Sequence, residues 1–417
     1  MPRVDRLSAL PDNIISRILS FLPIKISVST SILSTRWRFM WAHFPNLDFD
    51  SINHYNETRF WNIIDTVMSN PRLQSINTLC FHCSYFHANE NKVEKWFAGR
   101  NINNLILCPR PHSPALPQAI FTCKTLVELT LIHCALPSFS GEDISFRRLK
   151  KLHLLIFRSA TAENLPKLLS YCPVLHDFYI SGCFVDDCYI SSATIERLEF
   201  SSSLLSLASS REVGINAPAL EYLKLHLWTT SHVSTCALTS LIEADISIFY
   251  RSRNVDEPYR LSVLDFVNRL CKVKRLKLSI NVPLPCRIRS IPMFDNCTRL
   301  ELDSDLRFLM KFLERADNLE ILVIFRVISK NKIWEEPEQV PRCLLSRLAM
   351  VRINGFNCRK PEFSVVRYFL KNAQVLRRME VHTTTNGIDL GLAKKLNALQ
   401  KIALFKRGSK ECELAFS

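Results

Sequence analysis

The chain has 417 residues, is 47% hydrophobic and carries a formal net charge of +15. That apolar content excludes a disordered chain, and the length allows two or three ordinary domains or one elongated repeat array. The charged opening Met1-Pro2-Arg3-Val4-Asp5-Arg6 leads into no uninterrupted apolar run, so no secretory signal is expected. No stretch approaches the ~18 apolar residues that a membrane span needs. A soluble intracellular protein, in the cytoplasm or nucleus, is therefore expected, and its fifteen cysteines are read as reduced thiols.

Leu10 to Pro23 reads as one helix, with Pro11 in its first turn and Pro23 just past its end. Ile14, Ile15, Ile18, Leu19 and Leu22 give it a wide apolar face. A second short helix is predicted over Ile26 to Leu33. Ser34 or Thr35 caps a third, in which Trp37, Met40, Trp41 and Phe44 fall at i, i+3, i+4 and i+7. About 45 residues in three short helices bury too little of their surface to stand alone, which predicts an interface.

The stretches Asp5-Arg6-Leu7-Ser8-Ala9-Leu10-Pro11-Asp12, Leu19-Ser20-Phe21-Leu22-Pro23, Thr30 to Arg38 and Leu47-Asp48-Phe49-Asp50 resemble, in order and spacing, a plant-type F-box. One departure is Thr35, where a lysine is common. The resemblance implies docking on the Skp-type adaptor of a cullin-RING ubiquitin ligase. Leu10, Pro11, Ile14, Ile18, Leu22, Pro23, Leu33, Trp37 and Trp41 are then the expected adaptor-facing or helix-locking residues.

From Ile76 onward an apolar-x-x-apolar-x-apolar template recurs. It starts at Ile76, Ile102, Leu126, Leu149, Leu175, Ile195, Leu220, Leu241, Val273, Cys297, Leu319, Leu348, Leu376 and Leu399, the copy at Leu241 being poor. Fourteen starts with a mean spacing of about 25 residues fit leucine-rich repeats. Each unit supplies one short strand and a return segment, and apolar spacing makes the returns Asn164 to Cys172, Leu261 to Leu270, Leu306 to Ala316 and Phe363 to Ala373 helical. The expected fold class is α/β: a three-helix F-box followed by a curved leucine-rich-repeat solenoid of about 14 strand-helix units.

Two longer intervals hold charged, proline-containing loops, Tyr250 to Pro258 and Ser329 to Pro337. Trp334, Pro337, Val340-Pro341, Cys343-Leu344, Ile353-x-Gly355-Phe356 and Cys412-x-Leu414-x-Phe416 are similar to the FBD region that closes many plant F-box/leucine-rich-repeat proteins. The expected divisions are 1–50 (F-box), 51–329 (repeats) and 330–417 (an FBD-like region that continues the solenoid). Residues 342 to 417 hold 15 Lys+Arg against 5 Asp+Glu, a basic end read chiefly as a solvated outer face.

Alternation along Tyr222-Leu223-Lys224-Leu225-His226-Leu227-Trp228 sends the leucines inward and leaves Tyr222, Lys224, His226 and Trp228 on the open face. Tyr179 and Phe325 are expected on that face too, and these six are the candidate target-binding residues. No phosphate-binding glycine loop, nucleophile elbow or zinc-protease motif is present, so no catalysis is expected on this polypeptide. Cys80-Phe81-His82-Cys83, near His87, has ligand-like spacing, but no second Cys-x-x-Cys pair follows, and neither metal nor cofactor is expected.

With the F-box resemblance, the reading is a substrate receptor of an SCF-type ubiquitin ligase that is not itself an enzyme. Its partners are a Skp-type adaptor and a target protein, without membrane or nucleic acid. Two rivals are a hormone co-receptor completed by a small molecule and a repeat scaffold outside any ligase.

Overall fold

The computed structural model describes residues 9–22, 24–43, 46–50, 57–83, 95–97, 100–109, 116, 118–136, 144, 146–155, 158–159, 164–183, 187–202, 212–228, 232–236, 238–249, 255–282, 291–326, 336–337, 339–383 and 392–417. Pro23, Phe44, His87, Trp334, most of both charged loops and the side chains of Cys83 and Cys183 lie outside them. The chain divides at Ile195/Glu196 into two units.

In the first unit, the opening helix runs Asp12–Leu19, shorter than predicted. Pro11 is its N-cap, and Phe21 and Leu22 close it with amide bonds to Ile18 O (3.2 Å) and Leu19 O (3.0 Å), three-residue turns that end the α-helical ladder. The second helix, Ile24–Ser29, passes into a 3-10 turn, Thr30–Ile32. Ser27 Oγ donates to Leu19 O (3.1 Å) and pins it to the end of the first.

The third helix is 3-10 over Trp37–His43, where an α-helical spacing was predicted. Ser34 caps it by accepting the Trp37 amide on its Oγ (3.3 Å). The indole of Trp41 donates to Arg38 O (3.2 Å), a carbonyl that a regular α-helix would offer to the amide four residues on.

The strand Asn46–Asp50 follows, with Leu47 and Phe49 buried, and pairs in parallel with Ser75–Cys83. The last element of the F-box-like segment is thus the first strand of the repeat sheet. An aromatic stack consolidates the junction: Phe49 lies 5.4 Å from Phe81, Phe81 6.1 Å from Trp96, and Trp96 5.9 Å from Trp61, between ring centroids. Trp96 also donates its indole N–H to Asp65 (3.1 Å).

Parallel pairing continues in this unit through Asn101–Pro109, Glu128–Ile132, Lys151–Leu155 and Asp177–Cys183. In the second unit the successive parallel strands of the repeat sheet are Arg197–Ser202, Tyr222–Leu227, Glu243–Ile248, Arg275–Ile280, Arg299–Asp303, Ile321–Ile324, Met350–Phe356, Arg378–Thr383 and Glu413–Phe416. Their registers align the core residues in rows, such as Leu198, Leu223, Ala244, Leu276, Leu300, Leu322, Val351 and Met379, with the half-buried Leu414 at the end. A leucine fully buried in such a row contributes about 1.5–3 kcal/mol.

Thirteen of the fourteen predicted templates carry these strands. The last does not: Leu399 and Ile402 belong to the helix Leu392–Ala403, and Leu404 beyond it is 86% exposed. An i, i+3 apolar pair fits a helix face as readily as a repeat strand, and here the helix wins. The terminal strand comes instead from Cys412-x-Leu414-x-Phe416, seated beside Arg378–Thr383.

Helical returns occur at Asn164–Ser170, Glu257–Arg269, Leu306–Leu313 and Lys360–Asn372. Glu57–Met68 adds one that the sequence reading did not single out. Other returns are strands: Cys188–Ser191 in the first unit, and Glu212–Asn216 paired in parallel with His232–Thr235 in the second. Cys188 with Ile190, and Val213 with Ile215, are buried at a spacing of two, which suits a strand rather than a helix.

Candidate interaction surfaces

The F-box-like segment sorts its apolar residues into two sets. Ile15, Leu19, Trp37, Met40 and Trp41 are buried, so the two tryptophans lock the helices together. Ile14, Ile18, Leu22 and Leu33 are exposed, together with Phe21 (78%), Ile26 and Ile32 (89%), which the sequence reading had not placed on the surface. Leu10 is half-buried and Pro11 exposed. Seven large apolar side chains of one short segment thus face water.

Arg36 fixes the edge of this surface. Its guanidinium donates to Asp12 Oδ1 from Nε (2.8 Å) and Nη2 (2.5 Å), and Nη2 also reaches Leu10 O (2.6 Å). Leu10-Pro11-Asp12 is thereby held against the start of the third helix.

In the second unit, Leu223, Leu225 and Leu227 are buried while Tyr222, Lys224, His226 and Trp228 are half-buried on the opposite face. Lys224 Nζ donates to Glu199 (3.1 Å), a bond that raises its pKa. Burial lowers that of His226 and raises that of Tyr222. The Arg197 guanidinium lies 4.1 Å from the Tyr222 ring centroid, and Trp228 stacks on Phe249 (4.6 Å). Phe325 is half-buried past its strand; in the first unit, Tyr179 is half-buried with His153 edge-on at 5.7 Å.

A charge row crosses this face, which single-strand alternation could not reveal. Pairing sets Glu199, Lys224, Asp245, Lys277 and Glu301 side by side, then Val323, Arg352 and Glu380. Lys277 meets Asp245 at 2.9 Å, and Arg352 meets Glu380 at 2.5 Å. Burial would raise the Glu380 pKa, but hydrogen bonds from Arg352, Arg378 and His382 hold it below the ordinary carboxylate range. The basic end thus satisfies part of its charge internally.

The FBD-like motifs converge by packing. Phe356 is fully buried, edge-on to Phe363 (5.1 Å) and to Phe416 (6.3 Å). Gly355, at φ +67°, carries the irregularity between Ile353 and Phe356.

The cysteines show no nucleophilic poise where a shift is resolved. Burial pushes Cys80, Cys172, Cys297 and Cys343 each up to about 12. Cys172 donates to Leu168 O (3.3 Å) and Cys134 to Ile132 O (3.3 Å), a structural use of the thiol. Among the described residues no helix is long and apolar enough to cross a membrane.

Short helices that feed a strand straight into rows of leucine-backed parallel strands define an F-box protein with leucine-rich repeats. The F-box domain model matches residues 7–49, the model for the LRR repeats of FBD-associated F-box protein At5g56370 matches 93–246, and the FBD model matches 335–381. The chain is 31% identical over 424 residues to F-box/FBD/LRR-repeat protein At1g13780 of Arabidopsis thaliana, covering 91% of each. It is 32% identical to F-box/LRR-repeat protein At4g14103 of the same plant, over 78% of this chain and 93% of that one. To F-box/FBD/LRR-repeat protein At2g26030, also of Arabidopsis thaliana, it is 28% identical over 98% of both. The chain belongs to the F-box/FBD/LRR-repeat family.

Proposed function

We propose that this protein is the substrate-recognition subunit of an SCF-type cullin-RING ubiquitin ligase, working inside the cell. The observation that carries this reading is the exposed apolar set Ile14, Ile18, Phe21, Leu22, Ile26, Ile32 and Leu33, on a segment whose own core is already closed by Ile15, Leu19, Trp37 and Trp41. Its occupant is a Skp-type adaptor, with Leu10 and Pro11 at the margin. Residues 1–50 serve docking, while 51–329 and the FBD-like 330–417 hold the target.

The target is held by the open strand faces of the two units, Tyr179 on that of the first and Tyr222, Lys224, His226, Trp228 and Phe325 on that of the second, which offer aromatic and hydrogen-bonding anchors. Chemistry stays on other subunits. This chain raises the effective concentration of the target's lysines at the conjugating centre, which alone can add orders of magnitude in rate. The strand Asn46–Asp50 serves that role by joining the docking helices directly to the first repeat strands.

Co-purification with a Skp-type adaptor tests the reading. The wild type is expected to form a stoichiometric complex, and the surface variant Ile18→Glu/Ile32→Glu, folded by circular dichroism, is expected to lose it. A wild type that binds no adaptor, or a variant that binds equally, overturns it.

A further inference from the structure

The parallel pairing that joins the F-box strand to the first repeat also gathers chemistry that the linear sequence scatters. Register sets Asp48 beside Cys80 and Asp50 beside His82, and sets Cys108 on the far side of His82. The strand period of two puts all five on one face, opposite the buried Leu47, Phe49, Leu79 and Phe81. Cys80 Sγ lies 3.1 Å from His82 Nε2, and the donor atoms of Asp48, Cys80 and His82 all fall within 4.8 Å of one another.

We infer that Asp48, Cys80 and His82 bind a divalent transition metal, zinc fitting best, as a brace between the F-box and the first repeat. Thiolate sulfur, imidazole nitrogen and carboxylate oxygen are the three donor types that zinc accepts. Tetrahedral zinc holds a sulfur and a nitrogen ligand about 3.5 Å apart, given bonds of about 2.3 and 2.0 Å. The sulfur–nitrogen separation of 3.1 Å is a few tenths of an ångström short of that value, and the exposed Asp48 side chain has room to close in. Asp50 or Cys108 completes the shell, or water does.

The sequence argued against a metal because it offered one Cys-x-x-Cys and no second pair. In the folded chain Cys83 is not needed: the third ligand comes from the neighbouring strand. A metal here ties Asp48, the F-box side of the junction, to Cys80 and His82 on the repeat side. The inference is independent of the ubiquitin-ligase reading.

Cobalt(II) added to the reduced, metal-stripped full-length chain tests it, with zinc as competitor. The wild type is expected to bind one equivalent, to show thiolate-to-cobalt charge-transfer absorption in the near ultraviolet and to lose it to zinc. Cys80→Ser should abolish the band, and the partly exposed positions, in His82→Ala and Asp48→Asn, should weaken binding by about tenfold or more. Cys271→Ser, in the second unit, controls for the other thiols and should leave the band intact. Absence of a band in the wild type, or a band unchanged in His82→Ala and Asp48→Asn, overturns the inference. Those two variants keep the test decisive even where the buried Cys80 substitution unfolds the chain.

Discussion

Arg36 grips the carboxylate of Asp12 with two nitrogens of one guanidinium, joining the first and third helices of the F-box across 24 residues of sequence. Both partners are exposed, so the pair adds little to folding, at most about 0.5 kcal/mol. Its role is positional, because the same guanidinium holds Leu10 O. Arg36→Lys keeps the charge but loses the fork. Expected is a melting temperature near wild type with a several-fold weaker complex with a Skp-type adaptor, read by calorimetry beside titration.

The two sets of apolar residues in that segment should separate stability from binding. Trp37→Ala opens a cavity in the small helical core and should cost about 3–5 kcal/mol in denaturant unfolding. Ile32→Glu touches water on nearly every side and should stay within about 0.5 kcal/mol of wild type while abolishing adaptor binding. Equal losses of stability in both variants would refute the sorting.

Gly355 allows the chain to turn at φ +67° where it passes the strand Ile321–Ile324. A Cβ there would sit 2.9 Å from Phe325 O, a backbone atom that cannot swing away. Gly355→Ala should therefore destabilise the protein by about 1–3 kcal/mol through strain and contact together. Asn354→Ala next to it should cost far less, measured as the shift in unfolding midpoint at unchanged denaturant dependence.

Glu380 predicts a pH dependence with a definite sign. Its folded-state pKa is depressed, so its contribution is present above the ordinary carboxylate range and is lost as pH falls through the folded value. Glu380→Gln should lower stability at neutral pH by about 1–2 kcal/mol, since Arg352 and Arg378 remain partly solvated. The gap between variant and wild type should close toward acid. A gap constant from neutral to acid pH would show that the carboxylate charge is not what matters.

Much of this architecture is legible in the linear chain because a strand's inward positions repeat every second residue and the units recur near one period. That is why Leu223 and Leu225, or Leu300 and Leu302, could be assigned to a core in advance. Leu399 and Ile402 show the limit: a template defined by spacing alone does not distinguish one turn of helix from the start of a strand. Pairing between strands is a property of the folded sheet. The charge row from Glu199 to Glu301 and the meeting of Asp48 with Cys80 therefore had no signature in the text of the sequence. Nor does spacing tell which of two apolar neighbours faces water, so Ile14 and Ile15 part company only in three dimensions.

The prevailing division within the strands, apolar side chains inward and mostly polar or aromatic ones outward, gives the protein two separate alphabets. Letters on the inner side are constrained to apolar side chains, since each packs in a row shared with adjoining strands. Those on the outer side, such as Lys224, Asp245 and Lys277, answer mainly to one neighbour across the face. The outer letters can therefore be exchanged rung by rung while the inner frame that carries them stays as it is.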